Sequence, residues 1–138
     1  MANQALDGVR AFWEQAFNER DVSALDGLFA DGYVNHAALP GTPSGPEGQA
    51  VLMQRLWAAF PDARFTIEHL AQDGDTVICI GTMDGTHEAE LLGVPASGRH
   101  VAWRQCHLVK VDGDGKALEH RAIRDDLGLF RQMGAPGA

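Results

Sequence analysis

The chain has 138 residues, with 11 Lys and Arg against 19 Asp and Glu, giving a net charge of −8. That length fits one domain, residues 1–138, and the scattered basic residues form no stripe that would suit nucleic acid or an anionic membrane as partner. No apolar run approaches a membrane span, and no basic-then-apolar leader opens the chain, so a soluble, cytoplasmic protein is expected.

Ala5 to Glu19 reads as a helix with Val9, Phe12, Trp13, Ala16 and Phe17 on one apolar face. Asp21-Val22-Ser23 ends it and opens a second helix, with Ala24, Leu25, Leu28 and Phe29 inward. Tyr33 to Ala37 follows as a short strand, and the Pro- and Gly-rich stretch Leu39–Gly48 as an irregular loop. A third helix runs from Glu47 to Phe60 and stops at Pro61. Strands are expected over Arg64–Gln72 and Thr76–Thr86, joined by the hairpin signal Asp73-Gly74-Asp75. Glu88–Gly98 is a loop, Arg99–Val111 a long strand, and Asp112–Gly115 the turn into a last strand. The chain closes with a short amphipathic helix carrying Leu127, Phe130 and Met133 and stopped by Gly134. Helices followed by consecutive strands imply an α+β domain, with an antiparallel sheet and its helices on one face.

Along Arg99–Val111, Val101, Trp103, Gln105, His107 and Val109 share one face, and Ala102, Arg104, Cys106, Leu108 and Lys110 the other. The first set mixes aromatic, amide and imidazole among apolar residues, as a ligand pocket does; a sheet face whose polar members bond neighbouring backbone is the alternative. With one face in a pocket, the other needs cover, which points to a homodimer or homotetramer. Cys79 and Cys106 lie in apolar runs and read as free thiols. Without Cys-x-x-Cys or His-x-x-x-His spacing, no structural zinc is expected.

At the last strand-to-helix junction stand two carboxylates, Asp125 and Asp126. Asp126 is assigned to cap the helix, leaving Asp125 on the strand face of Ile123, Arg121 and Glu119 by period-two counting. A carboxylate on a mostly buried strand is costly unless paired or used. The alternatives for Asp125 are a further cap or a surface ion pair with Arg121 or Arg124. His120 falls on the opposite face from Asp125, outside the expected pocket. On the first strand Tyr33 and Asn35 share one face, Val34 and His36 the other; His87 sits either at a pocket mouth or on a turn.

Several stretches together carry a family resemblance: Tyr33-Val34-Asn35-His36, Gly45-Pro46-Glu47-Gly48, Phe60-Pro61-Asp62, Gly85-Thr86-His87, Gly93–Arg99, Asp114-Gly115-Lys116, Glu119-His120, Asp125, Gly128-Leu129 and Gln132-Met133-Gly134. In order and spacing they resemble the SnoaL-like polyketide cyclases, within the nuclear-transport-factor-2-like fold. The resemblance implies a strongly bent sheet closed by helices into a cone with a pocket inside. It implies intramolecular aldol ring closure without a cofactor, on an apolar small molecule such as a polyketide ester. Asp125 would then be the base and His107 the group that polarises a carbonyl, with Tyr33, Asn35, His36, Phe60, His87, Trp103, Gln105 and Arg121 contacting substrate. Arg121 departs from the aromatic residue the family often places after its Glu-His pair; a guanidinium there would weaken Asp125 as a base or bind an acidic group. The scaffold also hosts isomerases, hydratases, epoxide hydrolases, monooxygenase-like enzymes and ligand-binding modules without turnover.

Overall fold

The computed structural model describes residues 4–138. Helix α1 (Gln4–Ala11) runs directly into a π-helical stretch, Phe12–Asn18. Strand β1 spans Phe29–Asn35, helix α2 Glu47–Ala59, and strands β2 to β5 span Arg64–Asp73, Thr76–Thr86, His100–Val111 and Ala117–Arg124. Helix α3 (Asp126–Met133) ends the fold. The five strands form one sheet in the order β1-β5-β4-β3-β2. This is the α+β architecture expected, with α1, its π-helical continuation and α2 over the inner face of the sheet.

Two local expectations are corrected. The second N-terminal helix is a single 3₁₀ turn, Val22–Leu25, capped by the Asp21 side chain. Gly27, at φ +78°, breaks it within a few residues, and Phe29 is drawn into β1 instead. The sheet is also not wholly antiparallel, because β1 pairs parallel with β5 while the other three pairs are antiparallel. Strand β1 is interrupted between Phe29 and Val34, where Gly32 takes φ +78°, a bulge conformation a β-branched residue resists.

Alternation along β3 and β4 sends Val77, Cys79 and Met83, then Val101 and Trp103, into the core, where Phe17, Phe60 and Phe65 meet them. A Cβ on Gly81 would lie 2.5 Å from the Phe65 ring, so only glycine lets that ring lie across β3. Phe65 in turn stacks on Trp13, with centroids 3.8 Å apart, and Trp13 lies 5.0 Å from the ring of His107. A missing side chain on β3 thus fixes an aromatic wall beside a buried imidazole. The irregular loop after β1 is pinned to α2, since Arg55 Nη1 donates to Pro40 O and to Thr42 Oγ1, both at 2.8 Å.

Candidate active site

Between the helices and the inner face of β4 and β5 lies a cavity of about 90 Å³. Its apolar walls come from the first helical segment (Val9, Phe12, Trp13), from Leu28 and Phe29, and from Leu39, Leu52, Leu56 and Trp103. Its polar lining is Tyr33, Asn35, Gln49, Gln105, His107, His120 and Arg124. Apolar walls with a few placed polar groups are what ligand sites share. Among the described residues, no Asp or Glu lines it.

Four of the polar groups form one chain. Gln105 Oε1 lies 2.7 Å from His107 Nε2, and His107 Nδ1 lies 2.8 Å from His120 Nε2. His120 Nδ1 lies 2.6 Å from Asn35 Oδ1, which also accepts from the backbone N–H of Ala37 at 2.9 Å. That second bond fixes Asn35 with its oxygen toward His120, so His120 Nδ1 must carry a proton. If both imidazoles are neutral, His120 Nε2 accepts from His107 Nδ1–H, and the free lone pair of the chain is on His107 Nε2. As placed, Gln105 turns Oε1 toward that lone pair, so the neutral chain needs a half-turn of the Gln105 amide to offer its N–H instead. With Oε1 facing it, His107 Nε2 donates, and the chain then holds one more proton. A change of proton count at His107 Nε2 therefore goes with a turn of the Gln105 amide, and the rest of the chain keeps its partners.

The environment favours the neutral state. Burial, then the charges of His120 and Arg124, hold His107 well below the ordinary imidazole range. Burial, reinforced by Arg124 and His36, lowers His120 to about 4. Burial also pushes the Tyr33 phenol up, so it stays a neutral hydroxyl, accepting from Gln49 Nε2 at 3.3 Å. Cys79 pairs in register with His107 on β4, but burial pushes its thiol up to about 12, which leaves no thiolate nucleophile beside the chain.

The residues singled out from the sequence separate into two groups. Tyr33, Asn35, Trp103, Gln105 and His107 line the cavity. His36 and Arg121 are on the outer surface, both against Glu119, at 2.9 and 3.5 Å. Phe60 is fully buried core, away from the cavity lining. His87 is also fully buried, with Nδ1 accepting from the Ser97 N–H at 3.3 Å, and anchors the loop after β3.

The cap expected of Asp126 is made by Asp125, and neither carboxylate lines the cavity. Asp125 is the N-cap of α3, its exposed carboxylate accepting from Gly128 N at 2.9 Å. Asp126 instead accepts from Trp103 Nε1 at 3.1 Å. The period-two count is right, but the face is reversed: Glu119, Arg121 and Ile123 point to solvent, with Ile123 76% exposed, and His120 and Arg124 point to the cavity. His120 and Arg124 are the functional candidates sequence reasoning missed. Their signal was the cost of the alternative, because turning Glu119 and Arg121 inward would bury two charges.

Comparisons with known proteins agree with this architecture. The pattern of the SnoaL-like polyketide cyclase family matches residues 7–133. Aklanonic acid methyl ester cyclase DauD of Streptomyces sp. (strain C5) is 33% identical over 134 residues, 95% of this chain and 82% of that protein. Nogalonic acid methyl ester cyclase of Streptomyces nogalater is 32% identical over 123 residues, 88% of this chain and 91% of its own. Among solved structures, TsrD from Streptomyces laurentii superposes with a TM-score of 0.85 at 28% identity, covering 96% of each chain.

Proposed function

The chain belongs to the SnoaL-like polyketide cyclase family, and from that premise we propose that it closes a ring in a polyketide ester by intramolecular aldol addition, with His107 as the acid–base group. The observation that carries this reading is the chain Gln105–His107–His120–Asn35, set in an apolar cavity that no carboxylate of the described residues lines. His107 Nε2 takes the proton from the carbon between two carbonyls. The enolate carbon then bonds to the carbon of the receiving carbonyl, whose π electrons move to its oxygen. That oxygen recovers the proton from the imidazolium, so the product is an isomer of the substrate.

A weak base needs an acidic proton, and a carbon flanked by two carbonyls supplies one; water exclusion by Trp13, Phe12 and Leu39 protects the enolate. Tyr33 and Gln49 supply neutral donors for carbonyl oxygens. The cavity is smaller than the roughly 300–1,000 Å³ common for small-molecule sites, so a ligand of several rings enters only as the lining side chains rotate outward. Aklanonic or nogalonic acid methyl ester is the first substrate to try, with product followed by chromatography at unchanged mass. Ring closure that falls sharply in His107→Gln supports the reading; undiminished closure in that variant contradicts it.

The protein also assembles, in this reading, as a homodimer or homotetramer through the outer face of the sheet. Ile80, Cys106 and Ile123 lie side by side across β3, β4 and β5, and Ile78 and Leu108 form the next row. Their partial exposure leaves an apolar strip that a second copy would cover. Light scattering that gives a monomer mass at micromolar concentration contradicts this.

A further inference from the structure

The proton chain leaves one charged group of the cavity unemployed. Arg124, the last residue of β5, has a side chain only 18% exposed. Its Nη1 donates to Ala37 O at 3.1 Å, and its Cζ lies 5.6 Å from the centre of the Trp103 ring. Its Nε is 3.8 Å from Asp126 Oδ1, beyond hydrogen-bond reach, and that oxygen already accepts from Trp103 Nε1. A guanidinium carries five N–H donors. Among the described residues only Nη1 makes a hydrogen bond, so most of the fork is uncommitted.

Asp126, its ion-pair partner at 3.8 Å, is half exposed and outside the cavity lining, and among the described residues no carboxylate lines the cavity itself. The other polar lining groups are a neutral phenol, three amides and two imidazoles held neutral. A cation at the wall of an apolar cup is poorly solvated, and an anion on its free edge restores what desolvation removed. The planar fork of arginine fits two oxygens in parallel, and the Trp103 ring, 5.6 Å from Cζ, is within cation–π reach of it.

We infer that Arg124 forms an anion subsite of this cavity, receiving an ionised oxygen of the ligand, either a carboxylate carried in on binding or the enolate oxygen made during reaction. The inference rests on the reading that this cavity is the active site. It also couples to the base. The Arg124 charge is one of the influences that lower both imidazoles, so an anion seated on Arg124 strengthens His107 as a base once the ligand is in place.

The test uses the full chain with 2-naphthoate and methyl 2-naphthoate, which share an apolar body and differ in charge. Both are titrated at neutral pH and low salt while backbone amide resonances report the location. Turnover on the polyketide ester is measured beside it. If the anion is carried in, the wild type binds the carboxylate at least about tenfold tighter than the ester at the cavity residues, Arg124→Gln abolishes the preference, and Arg124→Lys keeps part of it. If the anion is made in the reaction, Arg124→Gln lowers kcat roughly ten- to a hundredfold or more with KM little changed, and Arg124→Lys lowers it less. Either pattern supports the subsite. Arg124→Gln, or Arg124→Met should the glutamine variant not fold, with both the wild-type preference and the wild-type kcat overturns it. His107→Gln separates the two readings, because it removes turnover through the base and leaves the Arg124-dependent preference in place. A preference that depends on Arg124 in a His107→Gln protein that still turns over would sink the base and keep the subsite.

Discussion

On β5, His120, Ala122 and Arg124 face the helices, while Glu119, Arg121 and Ile123 face solvent, with Asp125 just beyond the strand end. The two faces carry similar residue types and opposite chemistry. Outside, Glu119 sits between His36, at hydrogen-bond distance, and Arg121, in an ion pair; water screens both, and such exposed pairs contribute little. Inside, burial holds two imidazoles neutral and leaves a guanidinium with free donors. Reactive character here comes from the side of the strand a residue occupies, more than from its type. A carboxylate such as Asp125, placed in water and bonded to a helix N-terminus, has an acceptor's role already.

The sharpest way to break that contrast is to interrupt the inner chain. His120→Phe keeps a ring of similar shape and leaves His107 Nδ1–H without its acceptor. Turnover should fall roughly ten- to a hundredfold, as when the group orienting a functional histidine is lost. Because the charge of His120 lowers His107, its removal should move the acidic limb of kcat/KM to higher pH. An unchanged limb would place the base elsewhere.

Stability should report the same burial. His120 drops from an ordinary 6.5 to about 4 on folding, so the unfolded chain takes up the proton first. Stability attributable to it is therefore complete above pH 6.5 and is lost as pH falls toward 4, on the order of 1–3 kcal/mol. Urea titrations across this range should show a shallower decline in His120→Phe than in the wild type; parallel slopes would contradict the burial argument.

The aromatic wall offers a comparable test from the far side of the cavity. Gly81→Ala drives a methyl into the Phe65 ring, which should cost about 1–3 kcal/mol as overpacking. It should also disturb the Trp13 stack, visible in tryptophan fluorescence. The outer face should yield the smallest effect. Asp125→Ala removes an N-cap and should cost about 1 kcal/mol, read by thermal melting, with kcat unaffected.

The limits of α2, β3 and β4 were legible in the sequence because apolar periodicity, Pro61 and the Asp73-Gly74-Asp75 turn are local signals. The parallel pairing of β1 with β5 was not, since it joins segments more than eighty residues apart and no local pattern encodes the partner. Parity on β5 was legible too, and it grouped Asp125 with Arg121 and Ile123. Which group faced inward depended on where α1 and α2 pack, and the reading turned on Asp125 when the cost of burying Glu119 and Arg121 pointed the other way. His107, Gln105 and Trp103 were found because β4 alternates cleanly, whereas Tyr33 and Asn35, on a strand broken by a bulge, came from the family resemblance; Arg124 was weighed only as a surface partner for Asp125.

The most direct measurement compares His107→Gln with Asp125→Asn on the same polyketide ester at neutral pH. Both exchanges preserve size and remove one titratable group, and asparagine still caps a helix. If the inner face carries the chemistry, kcat falls roughly a hundred- to ten-thousandfold in His107→Gln and stays within about a factor of three in Asp125→Asn, as for a surface change. A collapse of kcat in Asp125→Asn beside a nearly intact His107→Gln would contradict it.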